Sequence, residues 1–407
     1  ANRALVCAAL SNRACTLRNL SPADDTALML NVLVGLGWSV TRESNSRPDV
    51  KLSPPLKPAA HPIEIYTGPA GTTTRFATAL LAAVPGEFKL DANARMRERP
   101  MGDLIDVLRS LGAEITEQGN TSCVPLNIKG GSLRGGECSI AGDVSSQFLS
   151  ALMMVAPSRG GGIVINVEGE LVSKPYADIT LQVMRDMGLP TECIKRDGYA
   201  CFEIAEGEYG TPEYSVPPDG TAASYFWGAA AVASSKCVID NLTRQDVQGD
   251  VAFVDALEKM GCKVLEFPNG LGIDASMVPV LKSIEWDMAA MPDCAQTLAV
   301  VCAFAVGTSR LTGLGTLRVK ETDRIAALQA ELAKLGVKTK AGDDWLEIVG
   351  KPDLKLDSPV SIATYEDHRI AMSFALAGLR VPIEIEELDV VGKSFPHFWD
   401  VWNELGS

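Results

Sequence analysis

Five charged side chains, Arg318, Lys320, Glu321, Asp323 and Arg324, fall within seven positions of the stretch LRVKETDR. Lys320 and Arg324, four residues apart, share a helical face and can grip an anion. Glu321 sits among cations, in place to move a proton. The plainer alternative is a solvated helix face laced with i,i+4 pairs. Three further arginines lie near the starts of small-residue helical stretches: Arg3 in ANRAL, Arg75 in GPAGTTTR and Arg369 in EDHR. A helix N-terminus already carries partial positive charge, so Arg is unfavourable there unless an anion joins it. Its recurrence at equivalent places points to a multiply charged anionic ligand.

Other segments supply weaker signals of the same kind. TGPAGTTTR offers glycines and threonines before a helix, a backbone suited to phosphate or carboxylate, but it lacks the GK[ST] of a Walker loop. ARMRERP adds Arg95, Arg97 and Arg99 as a basic cluster. DVSSQF places Ser145, Ser146 and Gln147 where other stretches have Arg, and MPDCAQT places Asp293 at a matching point. Turn chemistry for the serines and an N-cap for Asp293 are the structural alternatives.

Composition narrows the choice of ligand. A net charge of -14 over 407 residues argues against nucleic acid or an anionic membrane, both bound through many Lys and Arg. The anion must therefore sit in a local basic pocket of an acidic chain. Ten Cys with no CxxC pair read as reduced, buried thiols of a cytosolic protein. Three His, at 61, 368 and 397, are too few and too separated for a His metal cluster. Apolar runs reach about ten residues, short of the roughly 18 a spanning helix needs. ALVCAAL has neither a basic lead-in nor a cleavage signal, so it does not read as a signal peptide.

A repeat positions these residues. The opening helix ANRALVCAAL recurs as RFATALLAAV, QFLSALMMVA, YFWGAAAVAS, TLAVVCAFAV and RIAMSFALAG. Counted from Arg3 through Arg75, Gln147, Tyr225, Thr297 and Arg369, the intervals are 72, 72, 78, 72 and 72. The long step coincides with GEYGTPEYSVPPDG, whose composition is that of a linker. A second helix set ends on Gly37, Gly112, Gly188, Gly261 and Gly336. Each unit reads as strand, small-residue helix, strand, glycine-ended helix and hairpin. Three units fall in residues 1–216 and three in 217–407. The small-residue interiors are core, so function belongs at the helix ends.

Taken in order, GPAGTTTR, RMRERP, DVSSQFLSALMM, LVSKPYADIT, MPDCAQT, LRVKETDR, TYEDHRIAMSFAL and VGKSFPHFW resemble the 5-enolpyruvylshikimate-3-phosphate synthases, over essentially the whole chain. The resemblance implies an α/β fold of two similar domains, each with three βαβαββ units about a pseudo-threefold axis, closing on the substrates. It implies transfer of the enolpyruvyl group of phosphoenolpyruvate to the 5-hydroxyl of shikimate 3-phosphate, with no metal or cofactor. Carried over by motif, Arg3, Ser145, Ser146, Ser173 and Tyr176 would hold the shikimate phosphate. Gln147, Asp293, Thr316 and Lys320 would reach the rest of that substrate. Phosphoenolpyruvate would sit among Gly71, Arg95, Gln147, Arg324, His368, Arg369 and Lys393. The catalytic set would be Asp293, Glu321, Lys320 and His368, with Glu321 protonating carbon and Asp293 deprotonating the hydroxyl.

The same resemblance implies a cytoplasmic enzyme, a monomer or part of a larger multifunctional chain, and a target of glyphosate. Pro69 and Thr316 stand where the family usually has Asn. The family's lead-in reads like PGSKxxSNR, with a Lys that touches both substrates. That Lys would precede residue 1, so the chain is expected to start after one of its own catalytic residues and to act weakly. The alternatives are the related transferase acting on UDP-N-acetylglucosamine, which uses a loop Cys, and a non-catalytic anion-binding relative.

Overall fold

A computed structural model describes residues 1–42, 48–55, 62–142, 145–158, 160–171, 174–196 and 198–405. The chain forms two compact units, Ala1–Val216 and Pro217–Ser407. Each is built around three small-residue helices: Asn2–Ser11, Gly71–Ala83 and Ser146–Val155 in the first, Gly220–Val232, Ala295–Ala303 and His368–Ala375 in the second. Every residue of Ala295–Ala303 is buried, as is nearly every residue of Gly71–Ala83. Helices of Ala, Val, Thr and Cys have no bulky face to turn outward and are enclosed on all sides.

The second helix set is one-sided. Gly102–Ser110, for example, buries Leu104, Ile105, Val107 and Leu108 and leaves the rest to solvent. The glycines closing this set all have positive φ, from 76° at Gly336 to 110° at Gly261. Only glycine adopts that left-handed stop without strain.

Sheets repeat with the helices. In the first unit Ile63–Tyr66 pairs in parallel with Gly86–Asp91, which continues antiparallel through Leu126–Gly130 to Glu114–Glu117. Helix Gly71–Ala83 is the crossover that a parallel pair requires. Gly136–Ala141, Ile163–Glu168, Tyr199–Ile204 and Glu192–Arg196 repeat that order. So do Glu285–Asp287, Thr308–Thr312, Leu346–Val349 and Lys338–Ala341 in the second unit.

Three repeats depart from the expected pattern: the fourth, with Lys236–Asp240, Gly270–Asp274 and Lys263–Phe267, has no parallel edge strand among the described residues. The first sheet takes its parallel edge strand from Glu213–Ser215, with Thr16 opposite Glu213. The stretch read as a linker therefore holds a strand, because a Cys15–Arg18 edge without it would expose unpaired N–H and C=O groups. In the last repeat Val360–Ile362 pairs with Ile383–Ile385 alone, and no hairpin follows among the described residues. The chain instead enters a 3-10 turn, Leu388–Lys393, and helix Phe398–Glu404. Aromatic burial decides this: Phe226 lies 6.1 to 6.2 Å from Phe395, Phe398 and Trp402, ring centre to ring centre. Among the described residues no helix is long and apolar enough to cross a membrane.

Candidate active site

In the second unit the helix ends converge on one guanidinium. Asp323 caps helix Arg324–Lys334 by accepting from the amides of Ile325 and Ala326, which turns Arg324 inward as the first helical residue. Its side chain is 2% exposed. Nε donates to Asp367 at 2.7 Å, Nη1 to Asp293 at 3.0 Å and Nη2 to Glu321 at 2.9 Å. Arg369 reaches Asp293 at 3.1 Å and Lys320 approaches it at 3.6 Å. Lys393, closing its 3-10 turn, donates to Glu321. Four cations thus face three carboxylates, leaving a positive surplus where Lys320 is the most open member, 26% exposed.

Charge state follows from this geometry. Burial raises the Asp293 carboxyl, but Arg369, Lys320 and Arg324 outweigh burial and hold it far below the carboxylate range. Burial likewise raises Glu321, and Arg324 and Lys393 more than reverse it. Asp293 raises the Lys320 ammonium, yet burial and Arg324 bring it below its ordinary value. Burial, with Arg369 adjacent, pushes His368 down to about 3, so its ring is neutral near pH 7. Its Nδ1 is buried without a hydrogen-bond partner. Buried ion networks add little net stability against apolar replacements, so this one is not explained by folding alone.

The first unit answers with cations among neutral groups. Arg3 Nε donates to Thr180 at 2.7 Å, and Nη2 donates to the Tyr176 carbonyl at 3.2 Å and to Ser150 at 3.3 Å. The guanidinium lies 5.4 Å from the Phe76 ring centre. Among the described residues no carboxylate lies within ion-pair reach of Arg3 or Arg99. Burial lowers the Arg3 pKa to about 10. Arg75 donates to Gln147 Oε1 at 2.5 Å while Gln147 Nε2 donates to Thr72 at 2.9 Å. Ser145 caps the helix that Ser146 begins, accepting from the Gln147 amide. Gly71 starts its own helix, and a Cβ there would stand 2.7 Å from Arg99 Nη1.

Comparison with known proteins identifies the family. The family model of EPSP synthase (3-phosphoshikimate 1-carboxyvinyltransferase) matches residues 1–402. The chain belongs to the EPSP synthase family. It is 41% identical to 3-phosphoshikimate 1-carboxyvinyltransferase of Cellvibrio japonicus, covering 100% of this chain and 94% of that protein. It is 39% identical to the Nitrosomonas europaea protein of the same name, over 98% and 92%. The solved EPSP synthase of Acinetobacter baumannii superposes with a TM-score of 0.81 at 25% identity, covering 99% of this chain and 92% of that one. The resemblance read from the motifs and the two-domain enolpyruvyl transferase fold both hold.

Within this EPSP synthase family member, Asp293, Lys320, Glu321, Arg324, His368, Arg369 and Lys393 come together around one hub. LRVKETDR is not a solvated face, since Arg324 is buried and Lys320 precedes the helix from the end of the 3-10 turn Gly315–Val319. Asp293 makes no cap either; it sits in the 3-10 turn Pro292–Cys294 and spends both oxygens on cations. Arg3, Ser145, Ser146, Gln147 and Tyr176 lie at or near helix starts of the first unit. Thr316 Oγ1 is buried without a partner, and Ser173 lies outside the described residues.

Arg95 and Arg75 differ in their surroundings. Arg95 is exposed and pairs with Glu98 at 3.1 Å, one residue from a 3-10 turn, while Arg99 is the arginine that lies against Gly71. Arg75 does not sit at a helix terminus, because its helix begins four residues earlier at Gly71, and it is buried holding Gln147. Asp367 was missed entirely: fully buried, it caps helix His368–Ala375 through the Arg369 amide and also holds Arg324.

Proposed function

We propose that this chain transfers the enolpyruvyl group of phosphoenolpyruvate to the 5-hydroxyl of shikimate 3-phosphate, releasing inorganic phosphate on the way to chorismate and the aromatic amino acids. The observation that carries this reading is the Arg324 guanidinium holding Asp293, Glu321 and Asp367 at once. Such a hub couples anion binding to carboxyl acidity. The phosphate and carboxylate of phosphoenolpyruvate draw on Arg324, Arg369 and Lys393. Each cation turned to the ligand is partly lost to Asp293 and Glu321, whose pKa values rise. Asp293 becomes a stronger base and Glu321 takes up a proton.

Asp293 then accepts the hydroxyl proton as the oxygen attacks the phosphate-bearing carbon, and Glu321 protonates the methylene carbon. In the second half Glu321 removes a proton from the new methyl group, the bond from carbon to phosphate oxygen breaks, and the proton on Asp293 leaves with phosphate. Lys320, Arg324, Arg369 and Lys393 stabilise charge moving onto the leaving group. His368, neutral, supplies hydrogen bonding instead of charge. In the first unit Arg3, Ser146 and Tyr176 serve the shikimate phosphate, an anion that restores to Arg3 the counter-charge it lacks. Arg95 serves phosphoenolpyruvate as well, and Arg99 stands beside Gly71.

Ten free cysteines, eight of them buried, and a net charge of -14 support a cytoplasmic enzyme that does not bind nucleic acid and works as a monomer or within a larger multifunctional chain. Phosphate release is the direct assay. Release that depends on both shikimate 3-phosphate and phosphoenolpyruvate is expected; no release, or release only with UDP-N-acetylglucosamine, sinks this assignment.

A further inference from the structure

Helix Arg324–Lys334 carries a second buried charge, two turns beyond Arg324 on the same face. Glu331 is fully buried, and its partners lie on one loop. Oε2 accepts from the Ala363 amide at 3.1 Å, and Oε1 accepts from the Tyr365 hydroxyl at 2.6 Å. Lys334 supplies the counter-charge at 2.7 Å. Arg324, at the start of the same helix, grips the far end of that loop through Asp367. One helix therefore clamps residues 363 to 367 at both ends.

What it clamps is strained. Tyr365 and Glu366 are consecutive non-glycine residues with φ of 56° and 55°. Each L residue in that left-handed region is held there only by its surroundings. The turn reverses the chain so that the Asp367 amide donates to the Thr364 carbonyl at 2.9 Å, and Thr364 Oγ1 donates to Glu387 at 2.6 Å. Asp367, His368 and Arg369 follow immediately.

We propose that Glu331 is a positioning residue for the phosphoenolpyruvate half of the site: by holding Ala363 and Tyr365 it keeps the left-handed Tyr365–Glu366 turn that aims His368 and Arg369. This rests on the enolpyruvyl transfer reading above. It touches no substrate itself.

The test compares Glu331→Gln, Tyr365→Phe and the pair Glu331→Gln with Glu366→Gly, each in the whole chain. Tyr365→Phe guards against a Glu331 variant that fails to fold, since Tyr365 is exposed and loses only its hydroxyl. The expected result for both single variants is a KM for phosphoenolpyruvate raised about tenfold, with the KM for shikimate 3-phosphate unchanged. Glycine adopts positive φ freely, so Glu366→Gly recovers a good part of that loss while leaving an otherwise unaltered enzyme at its basal rate. Amide hydrogen exchange at residues 364 to 370 speeds up in the single variants and slows again in the double variant.

A fall in active fraction with both KM values unchanged, or no rescue by Glu366→Gly, overturns the proposal and leaves Glu331 as ordinary packing. Unmutated chain that releases no phosphate fails the enolpyruvyl reading instead. The exchange pattern then judges the clamp alone, and unaltered exchange in both single variants rejects it.

Discussion

The two units place charge at their helix ends in opposite ways. In Pro217–Ser407 four cations are matched with three carboxylates around Arg324, whereas in Ala1–Val216 Arg3 is surrounded by hydroxyls, a carbonyl and an aromatic ring. One is a network of paired charges with one cation in excess. The other is a cation held by neutral groups. The difference teaches that equivalent positions in a repeated fold can be built differently: the paired centre holds carboxyl groups whose acidity its cations set, and the other holds a cation among neutral groups.

The contrast fails most plainly if Arg324→Ala is harmless. Removing the hub leaves Asp293, Glu321 and Asp367 buried with less compensation, at a cost of about 3–5 kcal/mol in denaturant unfolding, with turnover abolished. Arg3→Ala is the matched experiment in the other unit. Its expected effect is about 1.5–3 kcal/mol of lost affinity for shikimate 3-phosphate by calorimetry, as for a hydrogen bond to a charged group. Folding stability stays level or improves, because a half-buried cation without a carboxylate partner is removed. A stability loss like that of Arg324→Ala would erase the distinction.

Acid titration sharpens the comparison further. His368 binds its proton at about 3 when folded but near its ordinary 6.5 when unfolded. Between those values the unfolded chain holds more protons, so stability falls as pH drops through that window. By about pH 5 this residue alone costs about 2 kcal/mol, since one proton bound only by the unfolded chain removes about 1.4 kcal/mol for each pH unit below 6.5. A His368→Asn chain should show a shallower fall in melting temperature over that range; an unchanged slope would mean that His368 is already protonated. The smallest effect is expected from Gly71→Ala. The added Cβ forces the Arg99 guanidinium aside, which should raise the KM for phosphoenolpyruvate by about threefold to tenfold without changing the melting temperature.

Much of this was readable along the chain where the signal is local. Gly112 stops a helix because only glycine takes its φ of 93°, and Gly336 stops another in the same way. Partners far apart in sequence were not readable. Arg95 and Arg99 are alike in composition, and only the path through Met96–Glu98 brings one rather than the other to Gly71. Nothing local in EDHR marks Asp367 as the partner of Arg324, 43 residues away.

The sequence by itself determined the six-fold repeat, the glycine helix stops, the family and the local clusters of basic groups in an acidic chain, because each of these is set by short-range periodicity, capping or residue type. Only the tertiary structure decided that Glu213–Ser215 completes the first sheet, that Arg99 stands beside Gly71, and that Glu331 and Arg324 clamp one strained loop from one helix. Those outcomes depend on which distant backbone amides and charges must find each other once water is excluded, and no local pattern of residues encodes that choice.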